Sequence, residues 1–327
     1  MTSAMHPRDC PACGVVRSSA LETVDLDEQH GFYAPGNSSV QQALTAAARQ
    51  SAPGYAMWRC AVCNLEWADP MRAPSDSWYA LAYETLDLYP GTRWEFEHVL
   101  AACSRRDTVF DIGCGSGSFL KLCWNAGICG QGADFAAEPV RKCVQAGLNV
   151  RQVNVDWDPR KFAGSNATVV TAFQVLEHLG EPAQLFELAS TVAAHEGTLW
   201  VAVPSHRRPS RLFNERDYLD QPPHHLTRWS EESLAALGER CGWQLEELAF
   251  EPLPLSAALW WISTESGLYK RLLNGKARGA SAVERMVRWM NYPAALALRG
   301  TRYRAMTGFS MLGRFRRSPA KRATADS

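Results

Sequence analysis

From residue 108 to residue 204 the chain alternates short β-rich apolar runs with longer stretches in which apolar positions recur at helical spacing. Val109 to Ile112 is one such run and meets Gly113-Cys114-Gly115-Ser116-Gly117; an apolar helix follows and stops at Gly127. Strands are then predicted over Gly130–Phe135, Val150–Val155, Ala167–Val175 and Thr198–Pro204, with helices over Glu138–Ala146 and Pro182–Ala194. This alternation predicts a parallel sheet whose ligand site lies at the carboxyl ends of the strands. Ser230, followed by Glu231 and Glu232, has the chemistry of a helix start. Trp243–Phe250 reads as a further strand, and Gly308-Phe-Ser-Met-Leu-Gly-Arg-Phe as the last one.

The flanks follow other patterns. Trp78, Tyr79, Leu81, Ala82, Tyr83 and Leu86 predict an aromatic-rich helix, and Trp94, Phe96, Val99 and Leu100 another; most of these aromatics read as core. Leu255 to Leu273 and Val283 to Met290 predict a helical insertion before the last strand. The predicted organisation is a small module over residues 1–75, a helical lead-in over 76–103 and the α/β core over 104–254. An insertion or lid over 255–300, the last strand of the core over 301–317 and a disordered basic tail over 318–327 complete it.

Composition changes this picture in two places. The chain has 327 residues, long for one domain, and 46% of them are hydrophobic, as a folded globular protein requires. Its net charge of zero conceals an asymmetry: residues 270–327 hold 14 Lys/Arg against Glu284 and Asp326, which leaves 20 Lys/Arg against 32 acids in residues 1–269. An acidic body disfavours nucleic acid as a partner. The basic 270–322 region, with Trp260 and Trp261 just before it, offers a peripheral contact to a membrane surface; a lid over the active site or a solvated tail is the plainer reading. No apolar run approaches the ~20 residues of a membrane span, and the first residues carry no secretory h-region, so a cytoplasmic protein is expected.

Ten cysteines in such a chain point to reduced thiols or metal ligands. Cys10-Pro-Ala-Cys13-Gly14 and Cys60-Ala-Val-Cys63-Asn64 are two C-x-x-C turns that can present four thiolates in a tetrahedron, the chemistry of a closed structural Zn2+ site. The competing reading is four unrelated free cysteines.

The glycine run after Ile112 allows positive φ and close approach of a ligand to the backbone. Asp134 ends the next strand, 21 residues after Gly113, where a carboxylate can accept both hydroxyls of a ribose. The spacing is G-x-G-x-G, with Ser118 at the sixth position, so a dinucleotide pyrophosphate grip is not supported.

Asp111-Ile-Gly-Cys-Gly-Ser-Gly resembles the glycine loop of class I S-adenosylmethionine-dependent methyltransferases, and Val175-Leu-Glu-His-Leu resembles the segment after their fourth strand. The resemblance covers about residues 100–255 and returns near the C-terminus. It implies a Rossmann-like seven-stranded sheet, mostly parallel with an antiparallel last strand. It also implies S-adenosyl-L-methionine as cofactor, held by Asp111, Gly113, Cys114, Gly115 and Gly117, with Asp134 on the ribose and Phe135 over the adenine. Asp156 then falls near the adenine, and Gln174 near the methionine end. Together with the four-cysteine module, the arrangement resembles sugar C-methyltransferases, in which a histidine lies just before a helix; His225 fits that place better than His224. Their longer C-terminal domain is absent, and Pro222 and Pro223 stand where they have a tyrosine, so the acceptor can differ and O-methylation stays open.

The expected function is methyl transfer to a small-molecule acceptor (a sugar, nucleotide sugar or other metabolite), with His225 as general base, His224 as its neighbour and His178 shaping the pocket or standing in as base. A structural clamp is the alternative role for the His pair. An RNA methyltransferase that docks through the cysteine module is disfavoured by charge and by Gln174-Val-Leu-Glu in place of an Asn/Asp-Pro-Pro-aromatic element. The third alternative, a non-catalytic protein that keeps the fold, is opposed by the intact glycine loop and Asp134.

Overall fold

The computed structural model describes residues 9–85, 92–153, 162, 164–212, 217–253, 293 and 306–318. Asp156, the predicted insertion over 255–300 apart from residue 293, and the tail beyond residue 318 lie outside these residues, as does most of the basic 270–322 region. Among the described residues no helix is long and apolar enough to cross a membrane.

The chain divides into two units. The larger comprises residues 1–204, 217–249 and 311–327. It opens with β1 (Ser18–Val24), α1 (Leu26–Tyr33), α2 (Ser38–Ser51), β2 (Tyr55–Cys60), β3 (Glu66–Asp69), α3 (Asp76–Thr85) and α4 (Trp94–Ala102). The stretch between the two cysteine pairs, which shows no strong pattern in sequence, is thus mainly the pair α1 and α2. Asp25 caps α1 by accepting from the backbone N–H of Asp27 and Glu28, and Asn37 caps α2 by accepting from Val40. Trp78, Tyr79 and Ala82 of α3 close a core with Tyr33, Leu44, Ala48, Tyr55 and Met57.

The α/β core follows: β4 (Thr108–Ile112), α5 (Ser118–Asn125), β5 (Cys129–Asp134), α6 (Ala137–Gln145), β6 (Asn149–Gln152), β7 (Ala167–Phe173), α7 (Ala183–Val192) and β8 (Ala193–Pro204). After the short α8 (Pro209–Leu212) come β9 (Thr227–Arg228), α9 (Glu231–Arg240), β10 (Trp243–Phe250) and β11 (Ser310–Arg317). Seven strands form one sheet in the order β10-β11-β8-β7-β4-β5-β6, mostly parallel and antiparallel at its last strands. The expected α/β architecture is therefore present. The sequence-based strand over Ala167–Val175 ends two residues early, because Gln174 turns to φ 56° and leaves the extended region. The order of strands reverses between β4 and β7, and their carboxyl ends open the crevice in which open α/β sheets bind ligands.

A second, four-stranded sheet has the order β1-β2-β3-β9. Its fourth strand comes from the segment after His224 and His225: Thr227 pairs with Trp67, and Arg228 with Glu66. Ser230 caps α9 as its sequence suggests, in a reciprocal box with Ser233, and its hydroxyl also donates to the carbonyl of Cys63 at 2.8 Å.

The smaller unit comprises residues 205–216 and 250–310. Among its described residues, the Ser205 and Thr307 hydroxyls meet at 2.7 Å and Arg207 stacks 4.5 Å from the Phe250 ring. His206, a polar loop residue in sequence, has its ring 6.2 Å from that of Phe250.

Candidate active site

The two C-x-x-C turns converge. Cys10 and Cys63 have their sulfurs 3.5 Å apart, Cys13 and Cys60 3.6 Å, and all four lie within 4.8 Å of one another. Each turn folds back on a left-handed residue, Gly14 at φ 75° and Asn64 at φ 60°, whose N–H groups donate to the carbonyls of Cys10 and Cys60. The N–H of Val62 points at the Cys60 sulfur from 3.3 Å. One proton shared between Cys10 and Cys63 pulls the first thiol down and pushes the second up. Four converging sulfurs met by a backbone donor fit a tetrahedral thiolate site.

The crevice at the carboxyl ends of β4 and β7 is a cavity of about 860 Å³. At one end lies the glycine loop. Gly113, Gly115 and Gly117 all have positive φ, at 70°, 51° and 71°. A Cβ on Gly113 would fall 2.4 Å from Val175 Cγ2, so only glycine lets this loop pass the turn after β7. The Gly115 N–H donates to Asp134 Oδ2 at 2.8 Å and the Ala136 N–H to Oδ1 at 2.9 Å. Those two donors fix the carboxylate at the rim while burial still pushes its pKa up. A vicinal diol donating to it would relieve that cost. Asp111 is buried beneath, accepts from the Thr171 hydroxyl at 2.7 Å and is pushed up to about 7 by burial. Cys114 lines the cavity, and its side chain belongs to the core against β5 and α5. Phe135 lines the wall and meets Tyr79 with ring centroids 5.7 Å apart.

Gln174 stands at the tip of β7 in a left-handed conformation rare for a side-chain-bearing residue, and its amide donates to buried Glu95 of α4 at 3.4 Å. Arg93 lies 3.8 Å from the same carboxylate.

The far end is built by histidines. His178 closes the single turn Leu176–His178 after β7, while His224 and His225 come from the loop before β9. The loop is clamped on both sides: the Leu226 N–H donates to the Glu177 carbonyl at 2.7 Å, and the Leu226 carbonyl accepts from the Ala68 N–H of β3 at 2.8 Å. The ring centroids of His178, His224 and His225 lie 4.6 to 4.8 Å apart. Each Nδ1 faces an oxygen: His178 the carbonyl of His224 at 2.7 Å, His224 the carbonyl of Leu219 at 3.1 Å, His225 the Asp220 carboxylate at 3.0 Å. Carbonyls and carboxylates accept only, so this network assigns the proton to Nδ1 and the lone pair to Nε2 in all three rings. Burial pulls His178 down to about 3 and His224 well below its ordinary value. Asp220 is held in turn by Arg228, whose Nε lies 3.3 Å away, while the same guanidinium reaches Glu66 at 3.1 Å.

Several residues of this site are not apparent in the sequence. Tyr33, Trp78 and Tyr79 surround His224 with centroids 5.8 to 6.5 Å away, and Tyr79 lines the cavity. They supply aromatic neighbours where the chain itself places Pro222 and Pro223. Glu177 lines the cavity too, is fully buried, and neither of its carboxylate oxygens has a hydrogen-bond partner; burial pushes it up to about 7. The only sequence signal for Glu177 is its place beside His178.

No curated protein matches the chain. Among solved structures it is similar to a SAM-dependent methyltransferase from Archaeoglobus fulgidus, with 22% identity over 74% of this chain and 100% of that one and a TM-score of 0.45. It is also similar to an S-adenosylmethionine-dependent methyltransferase from Mesorhizobium loti, with 14% identity over 68% of this chain and 97% of that one and a TM-score of 0.42. Residues 93–248, which carry the glycine loop, Asp134 and the three histidines, match the family model of the methyltransferase domain.

Proposed function

We propose that the protein transfers a methyl group from S-adenosylmethionine to a small-molecule acceptor, a sugar, nucleotide sugar or other metabolite. The observation that carries this reading is the shared cavity: the glycine loop and Asp134 at one end, the histidines at the other, with Gln174 between them. The cofactor, when bound, supplies an electrophilic methyl group on a sulfonium.

The chain's own residues then divide the work. Asp134, already fixed by two backbone donors, presents its remaining lone pairs to a ribose diol. Phe135 and Tyr79 offer apolar faces beside it. Gln174 and Arg93, both held by buried Glu95, line the part of the cavity that would take an amino-acid end. At the acceptor end, Asp220 holds the Nδ1 proton of His225, which orients the ring and leaves Nε2 as the atom that can take a proton from an acceptor hydroxyl or activated carbon. Tyr33 and Trp78 close off the space behind His224. The four cysteines suit one structural zinc ion, whose role is to hold the sheet onto which β9 is laid.

Calorimetry and a metabolite screen with labelled cofactor test the reading. S-adenosylmethionine should bind, and Asp134→Ala should weaken binding by about 1.5–3 kcal/mol, the cost of losing hydrogen bonds to a charged group. With the acceptor found, His225→Ala should keep cofactor affinity and lose roughly 10²–10⁴-fold in turnover. Wild-type protein that does not bind S-adenosylmethionine would refute the reading. Elemental analysis should find zinc that disappears in Cys60→Ser.

A further inference from the structure

A single general base accounts for His225 but not for its two companions. Three imidazoles meet with one ring nitrogen of each within 4.8 Å of the others, and a fully buried carboxylate on the same cavity wall has no hydrogen-bond partner for either oxygen. Converging lone pairs repel one another, and an unpartnered buried carboxyl costs free energy, so something electron-poor belongs among them.

We propose that His178, His224 and His225 form a second metal site, distinct from the four cysteines, which takes a divalent transition metal through three Nε2 atoms and leaves a position open toward the cavity for an oxygen of the acceptor. The proposal rests on reading the histidine end as the acceptor chamber.

Three observations carry it. The ligand atoms of the three side chains lie within 4.8 Å of one another, close enough that small ring rotations bring them onto one ion at about 2.0–2.1 Å. Each ring donates its other nitrogen to a carbonyl or a carboxylate, the outer contact that fixes the tautomer of metal-binding histidines and raises their basicity. Three protein nitrogens with a fourth position open are the donor count of a catalytic site, in contrast to the four sulfurs of a closed one. Imidazole donors favour zinc, iron, nickel or copper over magnesium or calcium.

The surrounding charges agree. Asp220 lies next to the cluster, and the Glu177 carboxyl, once ionised, adds a second negative charge. Arg228 is taken up by Asp220, Glu66 and Glu22. Arg93 is the cation that opposes an ion here, and Glu95 lies 3.8 Å from it. With an ion bound, His225 would serve as a ligand in place of its role as base, and the ion would make an acceptor hydroxyl at the open position acidic enough to lose its proton to water.

Cobalt(II) separates the two sites, because thiolate coordination adds intense sulfur-to-metal charge-transfer bands that a nitrogen site lacks. Full-length metal-free protein titrated with cobalt(II) should take up two equivalents, one with thiolate bands and one with ligand-field bands alone. His178→Ala and His225→Ala should each weaken the second equivalent by about 100-fold or more and leave the thiolate bands intact, which also reports that the variants fold. Asp220→Asn, which touches no ion, should weaken it by about 10–100-fold through His225. Cys60→Ser should remove the thiolate bands and spare the other signal. Uptake of a single equivalent with thiolate bands, or a second equivalent unchanged in both histidine variants, overturns the proposal. Cofactor binding measured separately on the same protein reports the methyltransferase reading, so either can fail without the other.

Discussion

Gln174 shows at the scale of one residue how this cavity is made. A left-handed backbone at φ 56° costs a residue with a side chain about 1 kcal/mol or more relative to glycine, yet it breaks β7 where the crevice opens and turns the amide toward Glu95. Gln174→Gly should therefore leave the melting temperature unchanged or higher while lowering affinity for S-adenosylmethionine; a variant that loses stability and keeps affinity would show that the conformation serves packing alone. Single residues also mark where the sequence stops being informative. Asp111, Gly113, Gly115, Gly117 and Asp134 are legible because a strand, a glycine turn and the next strand's tip are close in sequence, and local spacing determines what meets there. Tyr79, Arg93 and Phe96 are not, because they reach the same cavity from α3 and the start of α4, and helical periodicity cannot tell a core face from a pocket face. Glu177 is hidden for another reason: nothing in Leu-Glu-His-Leu says that the carboxylate is fully buried.

At the scale of elements, two contacts tie the cysteine-bearing sheet and its helices together. Arg228 of β9 joins Glu66 of β3 to Asp220 of the histidine loop, and all three side chains are nearly buried. Arg228→Met should cost about 3–5 kcal/mol in chemical denaturation, since it leaves buried Asp220 without its arginine and Glu66 with Arg59 alone. A loss below 1 kcal/mol would mean that Asp220 and Glu66 find other partners. The second contact is His30 of α1, whose Nδ1 meets the Thr45 hydroxyl of α2 at 2.9 Å and whose Nε2 accepts from the Trp78 indole of α3 at 3.0 Å. Burial pulls its pKa down to about 4. The unfolded chain, with an ordinary histidine near 6.5, binds the proton first, so this contribution is fully present above pH ~6.5 and is lost as pH falls toward 4. The loss should reach up to about 3 kcal/mol between pH 7 and 4, read as a falling denaturation midpoint, and His30→Gln should flatten that slope. The elements themselves were legible wherever periodicity was strong, as in α5, α7 and the Ser230 cap. The helices between the cysteine pairs were not, because an Ala-, Gln- and Ser-rich stretch has little apolar contrast to reveal a face.

At the scale of the molecule, the seven-stranded, mostly parallel sheet follows from β/α alternation and the resemblance together, whereas the second sheet does not, since β9 is a two-residue strand from another part of the chain. Pairing of β3 with β9 joins residues 66–67 to residues 227–228. Such a long-range closure is slow to find and costs loop entropy before it returns any contact. During synthesis the ribosome releases β1, β2 and β3 long before Thr227 emerges, so for most of translation the nascent chain displays β3 as an open edge able to pair with another chain. A metal ion captured early by Cys10, Cys13, Cys60 and Cys63 would hold that edge in register until its partner arrives, and the order of metal loading and chain elongation would then decide how readily the second sheet closes.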